Sequence, residues 1–226
     1  MNDRQLEAFW STIRVLDETS TLTHVMVIGS WAEFLYVYYF NSEFLPNIRT
    51  RDIDFLYPNI RKPAKPVQLE RKMVEAGFTI ARDTLTEVVK IFKEDLLEIE
   101  FITRQVGASG KGYLDIPGIG IRGQSLRDVN ILARYPLLLS ARNFDITVPE
   151  PAVYTLQKMI INSHRIPASK REKDIESVRN ILPHIKQSER DMKILKKIMN
   201  ECTRKEINAI NIVCDKYSIE LPINID

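Results

Sequence analysis

Two stretches decide how this 226-residue chain folds: Val27-Ile28-Gly29-Ser30-Trp31 and Arg51-Asp52-Ile53-Asp54-Phe55. The first reads as the end of a buried strand that turns sharply into a helix. The second reads as a strand, in which successive side chains point to opposite faces. Asp52 and Asp54 therefore share one face, while Ile53 and Phe55 point into a core. Two close carboxylates repel and raise each other's pKa unless a cation lies between them. A hard divalent ion such as Mg²⁺ (or Mn²⁺) meets that need, held by one or two carboxylates together with substrate phosphates.

Upstream, Asn2 or Asp3 can cap a first helix, with Leu6, Phe9, Trp10, Ile13 and Leu16 on its apolar stripe. His24 to Ile28 is a short apolar run of strand length. Trp31, Phe34, Leu35, Tyr38 and Tyr39 recur at helical spacing, which reads as a packed helix face over 31–40 rather than a ligand cage. A loop over 41–50 leads to the acidic strand, Asp52 to Tyr57, which Pro58 stops.

Downstream, Val67 to Ala76 reads as a helix ended by Gly77. A strand starts at Phe78. Glu87 to Lys93 and Leu96 to Thr103 read as a hairpin with a two-residue turn at Glu94-Asp95. Its second arm, Leu97-Glu98-Ile99-Glu100-Phe101-Ile102, again alternates apolar and acidic residues. Six of the eight glycines lie between 107 and 123, so that stretch is expected to be a mobile loop near the site. Gly107-Ala108-Ser109-Gly110-Lys111-Gly112 lacks the spacing of a Walker-type phosphate loop. Residues 125–134 are expected to form a short helix, and 137–140 and 144–148 two short strands. Pro149-Glu150-Pro151 marks a boundary, followed by helices near 150–164, 171–183, 188–200 and 203–217. The expected organisation is a core over 1–149 and a helical domain over 150–226.

The bulk numbers bound the function. With 44% hydrophobic and 27% charged residues the chain is globular rather than disordered. A net charge of +2 gives no gross signature for nucleic acid. No apolar run is long enough to span a bilayer, and the N-terminus lacks signal-peptide character, so a cytoplasmic location without membrane association is expected. Cys202 and Cys214 form no CxxC and read as reduced structural thiols. His24, His164 and His184 share no metal-ligand spacing.

A third carboxylate, Glu100 or Glu98 on the same face, can join Asp52 and Asp54 from a neighbouring strand. The Gly29-Ser30 turn exposes backbone N–H groups suited to a phosphate, to which the Ser30 hydroxyl can add a bond. A phosphate cradle facing a carboxylate-bound metal is equipment for phosphoryl or nucleotidyl transfer.

Strand, Gly29-Ser30, helix and then Asp52-Ile53-Asp54 on the next strand resembles the nucleotidyltransferase superfamily with its polymerase-beta-like fold. Twenty-one residues separate Ser30 from Asp52, more than in minimal members, and the aromatic helix and the 41–50 loop account for the excess. The likeness is closer to a group of bacterial nucleotidyltransferase-like proteins. It rests on Gly29-Ser30-Trp31-Ala32, on Arg49-Thr50-Arg51-Asp52-Ile53-Asp54-Phe55-Leu56, on Ile99-Glu100-Phe101-Ile102 and on Ile116-Pro117-Gly118-Ile119-Gly120. Val148-Pro149-Glu150-Pro151, Lys158 and Lys170-Arg171-Glu172-Lys173-Asp174 extend it to about residue 185 and also resemble AbiEii- and MenT-type toxins.

The resemblance implies an α/β (α+β) fold: a mixed twisted sheet with flanking helices, mainly on one face, and a C-terminal helical domain. It implies transfer of an NMP from an NTP, such as ATP, to an acceptor hydroxyl with release of pyrophosphate. Asp52, Asp54 and Glu100 would hold two Mg²⁺ ions, Gly29, Ser30 and Lys158 would bind phosphates, and Asp174 would complete the catalytic set. The acceptor can be an RNA (a tRNA 3′ end), a protein side chain or a small molecule such as an aminoglycoside. A non-catalytic nucleotide- or partner-binding module and a toxin–antitoxin component are the rival readings.

Each residue has a plainer alternative. Asp52 and Asp54 can be solubility charges on an edge strand, and Ser30 a helix N-cap. Glu98 and Glu100 can be the solvent face of a hairpin. Lys158 can be a solvated helix lysine, and Asp174 can pair with Lys170 or Lys173.

Overall fold

The computed structural model describes residues 3–40, 43–46, 50–105 and 110–223. Asn2, Arg49, part of the 41–50 loop and Gly107 to Ser109 lie outside the described residues. The first helix, α1 (Asp3–Glu18), buries Phe9, Ile13 and Leu16. The Phe9 ring stacks on Trp31 with centroids 4.3 Å apart. β1 (Met26–Ile28) is wholly buried and turns at Gly29 into α2 (Gly29–Leu35). A 3₁₀ turn, Tyr36–Tyr38, follows, so the α-helical part is shorter than the expected 31–40.

β2 (Asp52–Tyr57) lies between β1, antiparallel, and β5 (Leu97–Arg104), parallel. It is therefore an interior strand, and Asp52 and Asp54 are not charges that guard an edge. The other edge of β5 is shared. Its first half pairs with β4 (Val89–Lys93), which continues to β3 (Thr79–Arg82) behind α3 (Leu69–Glu75). Its second half pairs with β7 (Ile121–Leu126), which pairs in turn with β6 (Tyr113–Ile116). The result is a mixed seven-stranded sheet with flanking helices, the expected fold class.

Three local expectations are corrected. The β4–β5 connection holds three residues, because Lys93 pairs with Leu97 and Glu94 adopts φ +50°. The glycine-rich stretch is, in its described part, the β6–β7 hairpin. Buried Ile116 and Ile121 pin it to the core, and Gly120 closes its turn at φ +68°. Gly123 serves packing: a Cβ there would stand 2.6 Å from the Phe101 carbonyl oxygen of β5. Residues 125–134 are not an α-helix. β7 runs on to Leu126, with Ser125 Oγ 2.7 Å from Thr103 Oγ1, and only a 3₁₀ turn, Leu132–Arg134, follows.

β8 (Pro136–Ala141) and β9 (Phe144–Pro149) form a separate hairpin, and β9 packs on β1. Then come α4 (Pro151–Asn162), α5 (Ala168–Gln187), α6 (Glu189–Glu201) and α7 (Arg204–Tyr217). α4 packs against all three of the others and is buried along nearly its whole length. The Ser188 side chain caps α6, and a Thr203–Glu206 capping box starts α7. Among the described residues no helix is long and apolar enough to cross a membrane.

The close approach at Gly123 is testable. Gly123→Ala should destabilise the protein by about 1–3 kcal/mol, since a backbone carbonyl cannot swing aside as a flexible side chain can. Urea unfolding would read this as a lower midpoint at unchanged slope.

Candidate active site

The register of β2 on β5 assembles the acidic face. Asp52 pairs with Glu98, and Asp54 with Glu100. In-register neighbours on adjacent strands point the same way and lie about 4.8 Å apart. All four carboxylates therefore project from one face, while Ile53, Phe55, Ile99 and Phe101 are fully buried on the other. The same face meets the strand-to-helix turn. Ile28 pairs with Asp54, and the next residue, Gly29, has φ +66°. A Cβ on Gly29 would stand 2.9 Å from Asp54 Oδ2, so the bare backbone is what lets the turn and the carboxylate meet. Ser30 follows, half-buried.

A pair of cations completes the surroundings. Lys158 of α4 donates from Nζ to Asp174 Oδ1 at 2.7 Å, and Arg165 donates from Nε to Asp174 Oδ2 at 3.0 Å. Asp174, in α5, is 1% exposed, and both its oxygens are taken. Its partners are not Lys170 or Lys173, the neighbours expected from helix spacing. Lys158 is not a solvated lysine either, with its side chain only 8% exposed. Its Nζ lies 5.3 Å from the centre of the Tyr154 ring. Tyr154 Oη reaches Glu33 Oε2 at 3.4 Å, and Asn180 Nδ2 donates to Glu33 Oε1 at 3.0 Å. Glu33 belongs to α2, so a buried polar chain ties the helix after Gly29-Ser30 to the helices that carry Lys158 and Asp174.

These charges act on Asp54. Burial pushes its carboxyl from the ordinary aspartate value of 3.8 up to about 6, Glu100 and then Asp52 push in the same direction, and Lys158 and Arg165 pull back. A cation between Asp52 and Asp54 would relieve this strain, so their donor set suits a hard divalent ion that also takes substrate oxygens. Glu100 and Glu98 are engaged otherwise, because Lys90 of β4 donates to both, at 2.6 Å to Glu100. Among the described residues no three acidic, histidine or cysteine side chains are gathered as a ready metal-binding group.

The structure thus brings Gly29, Ser30, Asp52, Asp54 and Glu100 together, with Lys158 close enough to act on Asp54 and with Asp174 behind it. Sequence reasoning missed Lys90, Arg165 and Glu33. Lys90 becomes visible once the β4–β5 hairpin is put in register, which sets it opposite Glu100. Arg165 lies in the α4–α5 connection, where no periodicity marks it.

The raised pKa of Asp54 sets a sign. The folded state keeps this proton to higher pH than the unfolded chain does. Its contribution to stability is therefore full below about pH 4 and is lost as pH rises through about 6. In the presence of a chelator, Asp54→Asn should raise stability at pH 8 by roughly 1–3 kcal/mol and should leave it nearly unchanged at pH 4. Thermal unfolding at the two pH values reads the difference.

Three solved structures are similar to the chain along most of its length. An antigenic nucleotidyltransferase-like protein from Paracoccidioides brasiliensis shares 14% identity over 93% of this chain and 94% of its own, with a TM-score of 0.48. The antibiotic-resistance factor ANT(2″)-Ia shares 12% over 96% and 95%, with a TM-score of 0.46. The lincosamide antibiotic adenylyltransferase LnuA, bound to lincomycin, shares 13% over 80% and 96%, with a TM-score of 0.43. Comparison with curated proteins finds no match. A family model described as nucleotidyltransferase matches residues 8–202, a span that runs from α1 through α6 and takes in every residue of the site. The chain belongs to this nucleotidyltransferase family.

Proposed function

We propose that the protein moves a nucleoside monophosphate from an NTP to an acceptor hydroxyl and releases pyrophosphate, in a reaction that depends on Mg²⁺ or Mn²⁺. The observation that carries this reading is the meeting of the Gly29 turn with Asp54 across the β1–β2 pair, under the influence of Lys158 and Arg165. Anion-binding backbone, paired carboxylates and a buried ammonium are three parts that a phosphoryl-transfer site combines.

Asp52 and Asp54 would hold the divalent ion, with Glu100 beside them on β5. When bound, such an ion neutralises the triphosphate and lowers the pKa of an attacking hydroxyl. The Gly29 and Ser30 N–H groups and the Ser30 hydroxyl would orient the outer phosphates. Lys158 offsets the charge that builds on the transferred phosphoryl group. Asp174 does not touch substrate in this reading. Its two oxygens hold Lys158 and Arg165 in place, which makes it a positioning residue.

The acceptor is an RNA end, a protein side chain or a small molecule, and salt separates these classes. Binding to RNA weakens steeply as salt rises through counterion release, whereas binding of a small molecule changes little.

Incubation with each labelled NTP, Mg²⁺ or Mn²⁺ and cell lysate tests the reading. Label should pass to an RNA, a protein or a small molecule with the intact protein and not with the Asp52→Ala/Asp54→Ala double variant. Nucleotide binding without transfer to any acceptor would instead support a binding module. Lys158→Met should keep nucleotide binding and lower kcat by about 10²–10³, the loss typical when a donor to transition-state charge is removed. An unchanged kcat would remove Lys158 from the mechanism.

A further inference from the structure

The acidic face carries one carboxylate more than the proposed reaction uses. Glu98 stands in register with Asp52, and the proposed reaction gives it no task. Lys90 supplies one. In the antiparallel β4–β5 pair Lys90 lies directly opposite Glu100, and Glu98 is two residues back along the same face. The ammonium is bonded to both carboxylates at once, 2.6 Å from Glu100. The lysine side chain is 43% exposed and the two glutamates 27% and 19%, so the ammonium has room to shift between them.

We propose that Lys90 is a tethered stand-in for the divalent ion at Glu100, and that Glu98 is the berth to which it withdraws when the ion arrives. The inference rests on the metal-dependent reading of Asp52 and Asp54. Magnitudes favour displacement. A half-exposed lysine–glutamate pair contributes at most a few-fold to an equilibrium, whereas a divalent ion held by Asp52 and Asp54 within reach of Glu100 brings twice the lysine's charge. Without Lys90, the empty site would hold four like charges on two adjacent strands. Without Glu98, the lysine would have to leave its only carboxylate for open solvent whenever Glu100 turned to the ion. Lys90 thus offsets one negative charge of the face in both states, and the berth at Glu98 leaves Glu100 free to move.

Binding of Mn²⁺ alone, followed by the electron paramagnetic resonance of the free ion, tests this without any turnover. Lys90→Gln removes the competitor and should tighten Mn²⁺ binding up to about fivefold, while Lys90→Arg should stay close to the native value. Glu98→Gln confines the lysine to Glu100 and should weaken Mn²⁺ binding by a similar factor. The deciding measurement is the double variant. In the Lys90→Gln background, Glu98→Gln should change nothing, because no lysine remains to be berthed. If Glu98→Gln weakens binding equally with and without Lys90, Glu98 acts directly on the ion and the berth does not exist. If Lys90→Gln leaves affinity unchanged, Lys90 is no stand-in. Asp52→Asn separates this from failure of the underlying reading. Native Mn²⁺ binding that ignores Asp52 would overturn the metal site itself, and the role of Lys90 with it.

Discussion

The parallel register between β2 and β5 is the constraint on which the rest of the molecule depends. It sets Asp54 beside Glu100 on one face and, by the same alternation, Phe55 beside Phe101 on the other, with ring centroids 5.7 Å apart. A slip of one residue would turn every side chain of one strand over, driving its carboxylates into the core and its apolar residues out. Core packing therefore holds the acidic face in place. The burial of Ile53, Phe55, Ile99 and Phe101 stabilises the only register in which the four carboxylates gather, and that burial is worth several times the repulsion among partly solvated charges.

A second structure works against that repulsion from the far side. Lys158, Arg165 and Asp174 form an ion triad in which the lysine and aspartate are buried and the arginine side chain is 36% exposed, and buried ion pairs contribute little net stability because desolvation offsets the attraction. Their value here is positional. Asp174 is fixed by the packing of α5 on α4, and it fixes two cations whose field reaches Asp54. Glu33 extends the arrangement to α2 through Tyr154 and Asn180. The helix that begins at Gly29-Ser30 and the helix that carries Lys158 are thereby joined by buried polar contacts, which require closer geometry than apolar packing does.

Much of this was legible in the sequence where a short-range rule applied. The alternation of Asp52-Ile53-Asp54-Phe55 fixes a strand and its two faces, and Gly29 between an apolar run and an aromatic helix fixes a turn. The rule failed where tertiary contact overrode composition. The glycines of 112–123 look like loop residues, but Gly123 is there so that β7 can lie against the Phe101 carbonyl, a need that no local pattern announces. Asp174 failed in the opposite way. Helix spacing offered Lys170 and Lys173 as partners, and the chain used Lys158 and Arg165, which only the folding of α5 onto α4 brings near. Lys90 was hidden because its meaning lies in a cross-strand pairing and not in its neighbours along the chain.

Under the proposed reaction, the charge distribution dictates an order of dependence between ion and nucleotide. The acidic face alone repels a triphosphate, and three cations around it are already committed: Lys90 to Glu98 and Glu100, Lys158 and Arg165 to Asp174. The Gly29 turn offers only the partial charge of backbone N–H groups. A nucleotide arriving without a divalent ion meets uncompensated carboxylates, and an ion arriving without a nucleotide finds two aspartates, one of them reluctant to ionise. Each ligand supplies what the other lacks, so each raises the affinity of the other by the same factor. The raised pKa of Asp54 fits that dependence: burial first, and then Glu100 and Asp52, disfavour its charged form, and under the proposed reaction a bound cation would offset them.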